Sequence, residues 1–137
     1  MPPARPSRSS QRGNAIVETG LVFPIVFAFL FGVVQYSLVL FTYNTTTFGA
    51  RAGARYAIVN GSTSSSPATA ATVQNAVLAS MPSVPTNSIT VTTTWSPNNK
   101  PGSTVTVKVA VTVTPIIKYV MKNSLTFSST SKMTILQ

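Results

Sequence analysis

Cysteine and histidine are absent from this 137-residue sequence, and Glu18 is its single acidic residue. Without cysteine there is no disulfide framework and no thiol chemistry. Without histidine, cysteine or a second carboxylate, the usual metal-ligand sets cannot be assembled. Ser-His-Asp triads and paired glycosidase carboxylates are excluded for the same reason. A Ser-Lys nucleophile pair is still allowed by composition, but no motif supports one. The glycines are isolated, so no phosphate-cradling loop is present. The composition therefore reads as a protein that is not an enzyme and that carries no cofactor and no metal.

The scarcity of acid also explains the charge. Ten Lys and Arg against one acid give a formal net charge of +9. Only Arg5, Arg8 and Arg12 cluster; Arg51, Arg55, Lys100, Lys108, Lys118, Lys122 and Lys132 are scattered. No stripe interleaves cations with aromatics, which argues against nucleic acid as a partner. Ser, Thr, Asn and Pro are abundant in the C-terminal half, which suits an exported, solvent-facing domain.

One long hydrophobic run organises the rest. From Leu21 to Val34 every residue is apolar or Gly apart from Pro24, and after Gln35-Tyr36-Ser37 the run resumes from Leu38 to Phe41. As a helix, Leu21 to Phe41 is about 30 Å long, the thickness of a bilayer core. The span predicts membrane lipid as a partner and a single crossing. The preceding tail, MPPARPSRSSQR, is too rich in Pro, Arg and Ser to bury a core and reads as disordered. Arg5, Arg8 and Arg12 favour a cytoplasmic N-terminus, against Arg51 and Arg55 on the other side. A cleaved secretory signal is the competing reading, but the run exceeds the roughly 7–15 residues of such a segment. Pro24 removes the helical bond to the Gly20 carbonyl, so a kink or loosened turn is expected there.

Glu18 stands at the head of this run. Its bland explanation is a favourable position in the first helical turn, worth about 0.3–1 kcal/mol. As an ionisable residue against a membrane segment it is also a functional candidate. The stretch Arg12-Gly13-Asn14-Ala15-Ile16-Val17-Glu18 resembles the prepilin peptidase site of type IV pilin-like proteins. The wider pattern, Gly13-x-x-x-Val17-Glu18-x-x-Leu21-x-x-Pro24, then the apolar run and Ala50-Arg51-Ala52-Gly53-Ala54-Arg55-Tyr56-Ala57, resembles the TadE-like pseudopilins of the tight-adherence (Flp) pilus system. Thr19-Gly20 departs from the aromatic and Ala usual there, and Gly53-Ala54 differs from a turn that is often partly charged; neither touches the cut or the glutamate. The resemblance covers about residues 12 to 60. It implies cleavage between Gly13 and Asn14 by a prepilin peptidase, leaving Glu18 fifth in the mature chain. It implies a role in assembly for Glu18. It further implies, as partners, other pilins or pseudopilins and inner-membrane pilus assembly proteins.

Beyond the span, Thr42 to Val59 keeps helical periodicity as a stem, with Phe41, Phe48, Ala52, Tyr56 and Val59 on one broad face. Thr45-Thr46-Thr47 are poor helix formers and allow a bend. Gly49 and Gly53, with Tyr56 nearby, allow close helix packing, either with neighbouring helices or with the chain's own sheet. Asn60-Gly61 reads as the C-cap. Ser66-Pro67 reads as the start of a short second helix, Ala68 to Ser80, with Val73, Val77 and Met81 inward. Ser88 to Trp95 and Thr104 to Thr114 alternate as a hairpin around SPNNKPG. Ile116 to Asn123 is a connector, and Ser124 to Leu136 a last strand.

Three strands need a covering helix. The expected fold is therefore α+β and pilin-like: a long N-terminal transmembrane helix continuing into a stem, a short second helix and a three-stranded antiparallel sheet. The expected divisions are a cytoplasmic leader (1–13), a transmembrane helix (14–41), a stem (42–61) and an exported domain (62–137). The function expected is that of a minor pseudopilin in a bacterial inner membrane, with the domain outside. The alternative is an unprocessed single-pass anchor whose β-domain binds a surface polymer or DNA.

Overall fold

The computed structural model describes residues 8–113 and 124–136, so the expected connector at 116–123 and the first seven residues lie outside the described part. The arrangement is α+β, with helix α1 (Arg8–Val59), helix α2 (Ala70–Ser80), a short 3-10 turn (Thr86–Ser88), and strands β1 (Ile89–Ser96), β2 (Thr104–Val113) and β3 (Leu125–Thr134). The chain divides into two compact units, Met1–Val39 and Leu40–Gln137. In the first unit, residues 8–39 form helix throughout, including Pro24. Residues 8–12, expected to be disordered, are already helical.

The second unit is built around β2. The sheet order is β1-β2-β3, antiparallel throughout, with Ile89 opposite Val111 and Val105 opposite Met133. Alternation decides which side of each strand is buried. On β2 the side chains of Val105, Val107, Val109 and Val111 are buried, while Lys108 and Thr112 are exposed. Each fully buried valine is worth roughly 1.5–3 kcal/mol, so this row supplies much of the unit's stability. Val73, Val77 and Met81 of α2 and Ala50, Ala54 and Ala57 of the stem close over it.

The stem meets this core with a different face from the periodic apolar one. Its buried residues are Thr42, Thr46, Gly49, Ala50, Gly53, Ala54 and Ala57, whereas Phe41, Phe48 and Val59 are 51%, 60% and 53% exposed. Tyr56 is half-buried at the core margin. The reason is distance. A Cβ built on Gly53 would lie 2.6 Å from Val77 Cγ2 and 3.2 Å from Val107 Cγ1, so only a residue without a side chain fits between α2 and β2. At Gly49 the same atom would overlap the Met81 sulfur. Large apolar residues on this face would hold the helix away from the valines.

Local signals account for the helix ends, some of them not as expected. Thr45, Thr46 and Thr47 do not interrupt the helix; each hydroxyl donates to the carbonyl four residues back, at 2.8, 2.7 and 3.1 Å. Asn60 ends α1 by donating its side-chain amide to the Tyr56 carbonyl at 3.0 Å. Gly61 is not left-handed; among the described residues Gly102 alone has positive φ, at 83°. Helix α2 starts after Thr69, not at Ser66-Pro67. Thr69 and Thr72 form a reciprocal capping box, each hydroxyl accepting from the other residue's backbone amide. The SPNNKPG turn is held by Asn98 Oδ1, which accepts from the Lys100 amide and the Ser103 hydroxyl. It is tied to the stem end through Asn99, whose carbonyl accepts from the Ser62 amide at 2.8 Å.

Gly53 and Gly49 should respond differently to alanine. Alanine gains about 1 kcal/mol in helix propensity at either site. At Gly53 the obstructing atoms are stiff valine methyls, and overpacking costs about 1–3 kcal/mol. At Gly49 the obstruction is a flexible thioether. Thermal unfolding of a soluble fragment beginning at Leu40 should therefore show Gly53→Ala clearly destabilised and Gly49→Ala close to unchanged. Equal melting temperatures for the two would contradict the packing described.

Candidate functional site

The residues singled out near the N-terminus sit on one uninterrupted helix. Gly13 is exposed, and a Cβ added there would meet nothing within 4 Å. The Gly13–Asn14 peptide lies inside α1. A glycine in a helix interior costs about 1 kcal/mol relative to alanine, so Gly13, like Gly20 and Gly32, is a weak point of the helix.

Glu18 is exposed and lies well past the first turn, which contains no acidic residue. The helix-dipole explanation for its position therefore fails in the uncut chain, because the dipole effect fades within one turn. Glu18 makes no hydrogen bond or ion pair with any described residue. Its neighbours three and four residues away are Asn14, Ala15, Leu21 and Val22, none of them cationic. A shallow groove beside it is lined by Glu18, Thr19, Val22, Phe23 and Val26. Thr19 turns its hydroxyl back to the Ala15 carbonyl at 2.8 Å and so offers the groove no free donor.

From Gly20 to Val34 the helix is apolar on all sides and exposed. A window within Ala15–Val59 reaches a mean hydropathy of 2.2 with 0% of it buried. Phe23, Phe27 and Phe31 form an exposed ladder, with ring centroids 5.4 and 6.3 Å apart. A helix hydrophobic all round and unburied by protein is compatible with a single-pass membrane anchor.

Residues 13–55 match the family model described as TadE-like protein. The match takes in Gly13, Asn14, Glu18, Pro24, Gly49 and Gly53, and ends one residue before Tyr56. It agrees with the resemblance read from the sequence. No curated protein and no solved structure matches the chain. The TadE-like segment thus ends within the stem, and α2 and the whole sheet lie beyond it.

The structure separates the candidate residues into two groups. Gly13, Glu18 and Pro24 are in the first unit. Gly49, Gly53 and Tyr56 are in the second, where the glycines are used against the chain's own α2 and β2. The outward apolar positions Phe41, Phe48 and Val59 are the surface that periodicity identified but assigned no direction. The signal that would have oriented the stem was the small-residue stripe set against the valine ladder.

Because Glu18 has no partner among the described residues, Glu18→Gln should leave the fold alone. Circular dichroism of the full chain in detergent should show unchanged helix content, with unfolding shifted by less than about 0.5 kcal/mol. A larger loss would mean that Glu18 has a structural role within the single chain.

Proposed function

We propose that this chain is a minor pseudopilin of a tight-adherence (Flp) type IV pilus or a related secretion apparatus. It is inserted once in the bacterial inner membrane, with its N-terminus cytoplasmic and its C-terminal domain outside. A prepilin peptidase cuts between Gly13 and Asn14, and the product assembles with other pilins or pseudopilins and inner-membrane assembly proteins. The role is structural and adhesive, with no catalysis. The observation that carries this reading is Glu18: the sole acid of the sequence, exposed on an apolar helix with no partner among the described residues, within the segment that matches the TadE-like model.

The spacing supports a link between cutting and assembly. Removal of residues 1–13 creates an α-amino group on Asn14, four positions before Glu18 and on the same side of the helix. The same group can reach the glutamate of an adjacent copy or partner. The stem offers a second contact: with Gly49 and Gly53 used internally, the surface left for neighbouring helices is Phe41, Phe48, Ala52 and Val59.

One observation favours the second reading, an unprocessed anchor presenting its domain. Helix α1 runs through the Gly13–Asn14 bond, so the peptide to be cut is held in helical conformation with its neighbours on both sides.

The N-terminal mass of protein extracted from native membranes separates the two. We expect a chain starting at Asn14; a chain retaining residues 1–13 in a host with active peptidase favours the anchor. In the same strain, Glu18→Gln should be inserted and cut normally but should fail to co-purify with its partners. Leaving one member of a charge pair alone in a low-dielectric setting costs about 3–5 kcal/mol, or at least about a hundredfold in an assembly equilibrium. Normal recovery of partners by the cut variant would remove Glu18 from assembly, and failure to be cut would move it to the processing step.

A further inference from the structure

The outward face of the sheet has a chemistry that neither the membrane helix nor the stem uses. Its two central rows are Thr92–Lys108–Thr130 and Thr94–Thr106–Lys132, read across β1, β2 and β3. Every other outward position on the three strands is Thr or Ser, except Ala110. Lys108 and Lys132 are exposed and are diagonal neighbours, a separation of about 7–8 Å. No side-chain carboxylate exists on this unit to neutralise them, because the only one in the sequence is Glu18. The hydroxyls of Thr92, Thr106 and Thr130 make no hydrogen bond with any described residue, so their donors and acceptors are open.

We propose that this face binds a carboxylate-bearing polysaccharide. The strands set hydroxyls about 4.8 Å apart across the sheet and about 7 Å apart along each strand. That regular lattice suits a polymer with hydroxyls and carboxylates repeating along its length. The two ammonium groups supply the charge complementarity, and an anion between them relieves their mutual repulsion. A protective role against edge pairing accounts for Lys132 on edge strand β3 but not for Lys108, which is on central β2.

Other polymers fit the face less well. It has no aromatic side chain, so bases of a single-stranded nucleic acid have nothing to stack on. Two cations give too small a counterion-release term for duplex binding. A protein partner would be expected to find aromatic or Arg anchors, and none is present. The inference rests on the sheet alone and holds whether or not residues 1–13 are removed.

The test uses the full chain in nanodiscs of zwitterionic lipid, with polygalacturonate as probe and dextran and a single-stranded DNA oligomer as comparisons. Binding of polygalacturonate but not dextran is expected. Lys108→Gln combined with Lys132→Gln should weaken it by at least about tenfold, the loss of two charge-assisted contacts. Arg51→Gln combined with Arg55→Gln removes the same charge from exposed positions on the stem and should change binding less than about twofold. Thr106→Val, which removes a hydroxyl between the lysines, should weaken binding while leaving the circular dichroism spectrum intact. Three results would overturn the proposal: no binding of polygalacturonate, equal weakening by the two double variants, or tighter binding of DNA through the same lysines.

Discussion

The second unit depends on one close approach, that of the stem to α2 and β2 at Gly53. The valine row of β2 is worth burying only if something covers it tightly, and a three-stranded sheet has no second sheet to do so. Two helices share the task. For both to reach the same valines, their backbones must come near each other and near the sheet. That geometry leaves no room for a Cβ at Gly53 and little at Gly49. The alanines at 50, 54 and 57 contribute modestly through their own burial. Their larger effect is to let Val73, Val77 and Val107 pack without a gap, since voids forfeit dispersion contacts as well as transfer energy.

The same constraint inverts the stem. A helix that must use its smallest residues inward leaves its largest ones outward, so Phe41, Phe48 and Val59 are exposed by the demands of the core. Arg51 and Arg55 are exposed as well and keep this surface from being wholly apolar. Hydrophobic periodicity is a good guide to direction when burial is driven by area. It fails where burial is limited by distance, and this stem is such a case.

Much of the fold was legible for simple reasons. The alternating valines at 105, 107, 109 and 111 admit one reading as a half-buried strand, and SPNNKPG admits one reading as a turn. The apolar run has no periodicity to misread. The helix ends were less legible. Ser66-Pro67 looked like a start, but the Thr69–Thr72 box wins because it satisfies two backbone donors reciprocally. The three threonines at 45–47 are poor helix formers, yet their hydroxyls return to the carbonyl four residues back and the helix continues through them. The candidate site was legible as residues and not as geometry. Sequence placed Glu18 at a helix head, and the helix begins several residues earlier.

That earlier start changes what Glu18 can be. In the uncut chain Glu18 lies beyond the first turn of α1, where the dipole acts, and among the described residues no cation lies three or four positions away. A cut between Gly13 and Asn14 would alter the second of these, because it creates a positive charge on Asn14 about one turn from Glu18. Under the proposed function, processing would convert an isolated charge at the edge of an apolar helix into half of a pair whose other half can come from a neighbour. The same carboxylate would then be a poor assembler before the cut and a good one after it. The order of the two steps would follow from electrostatics, with no change of fold in the second unit.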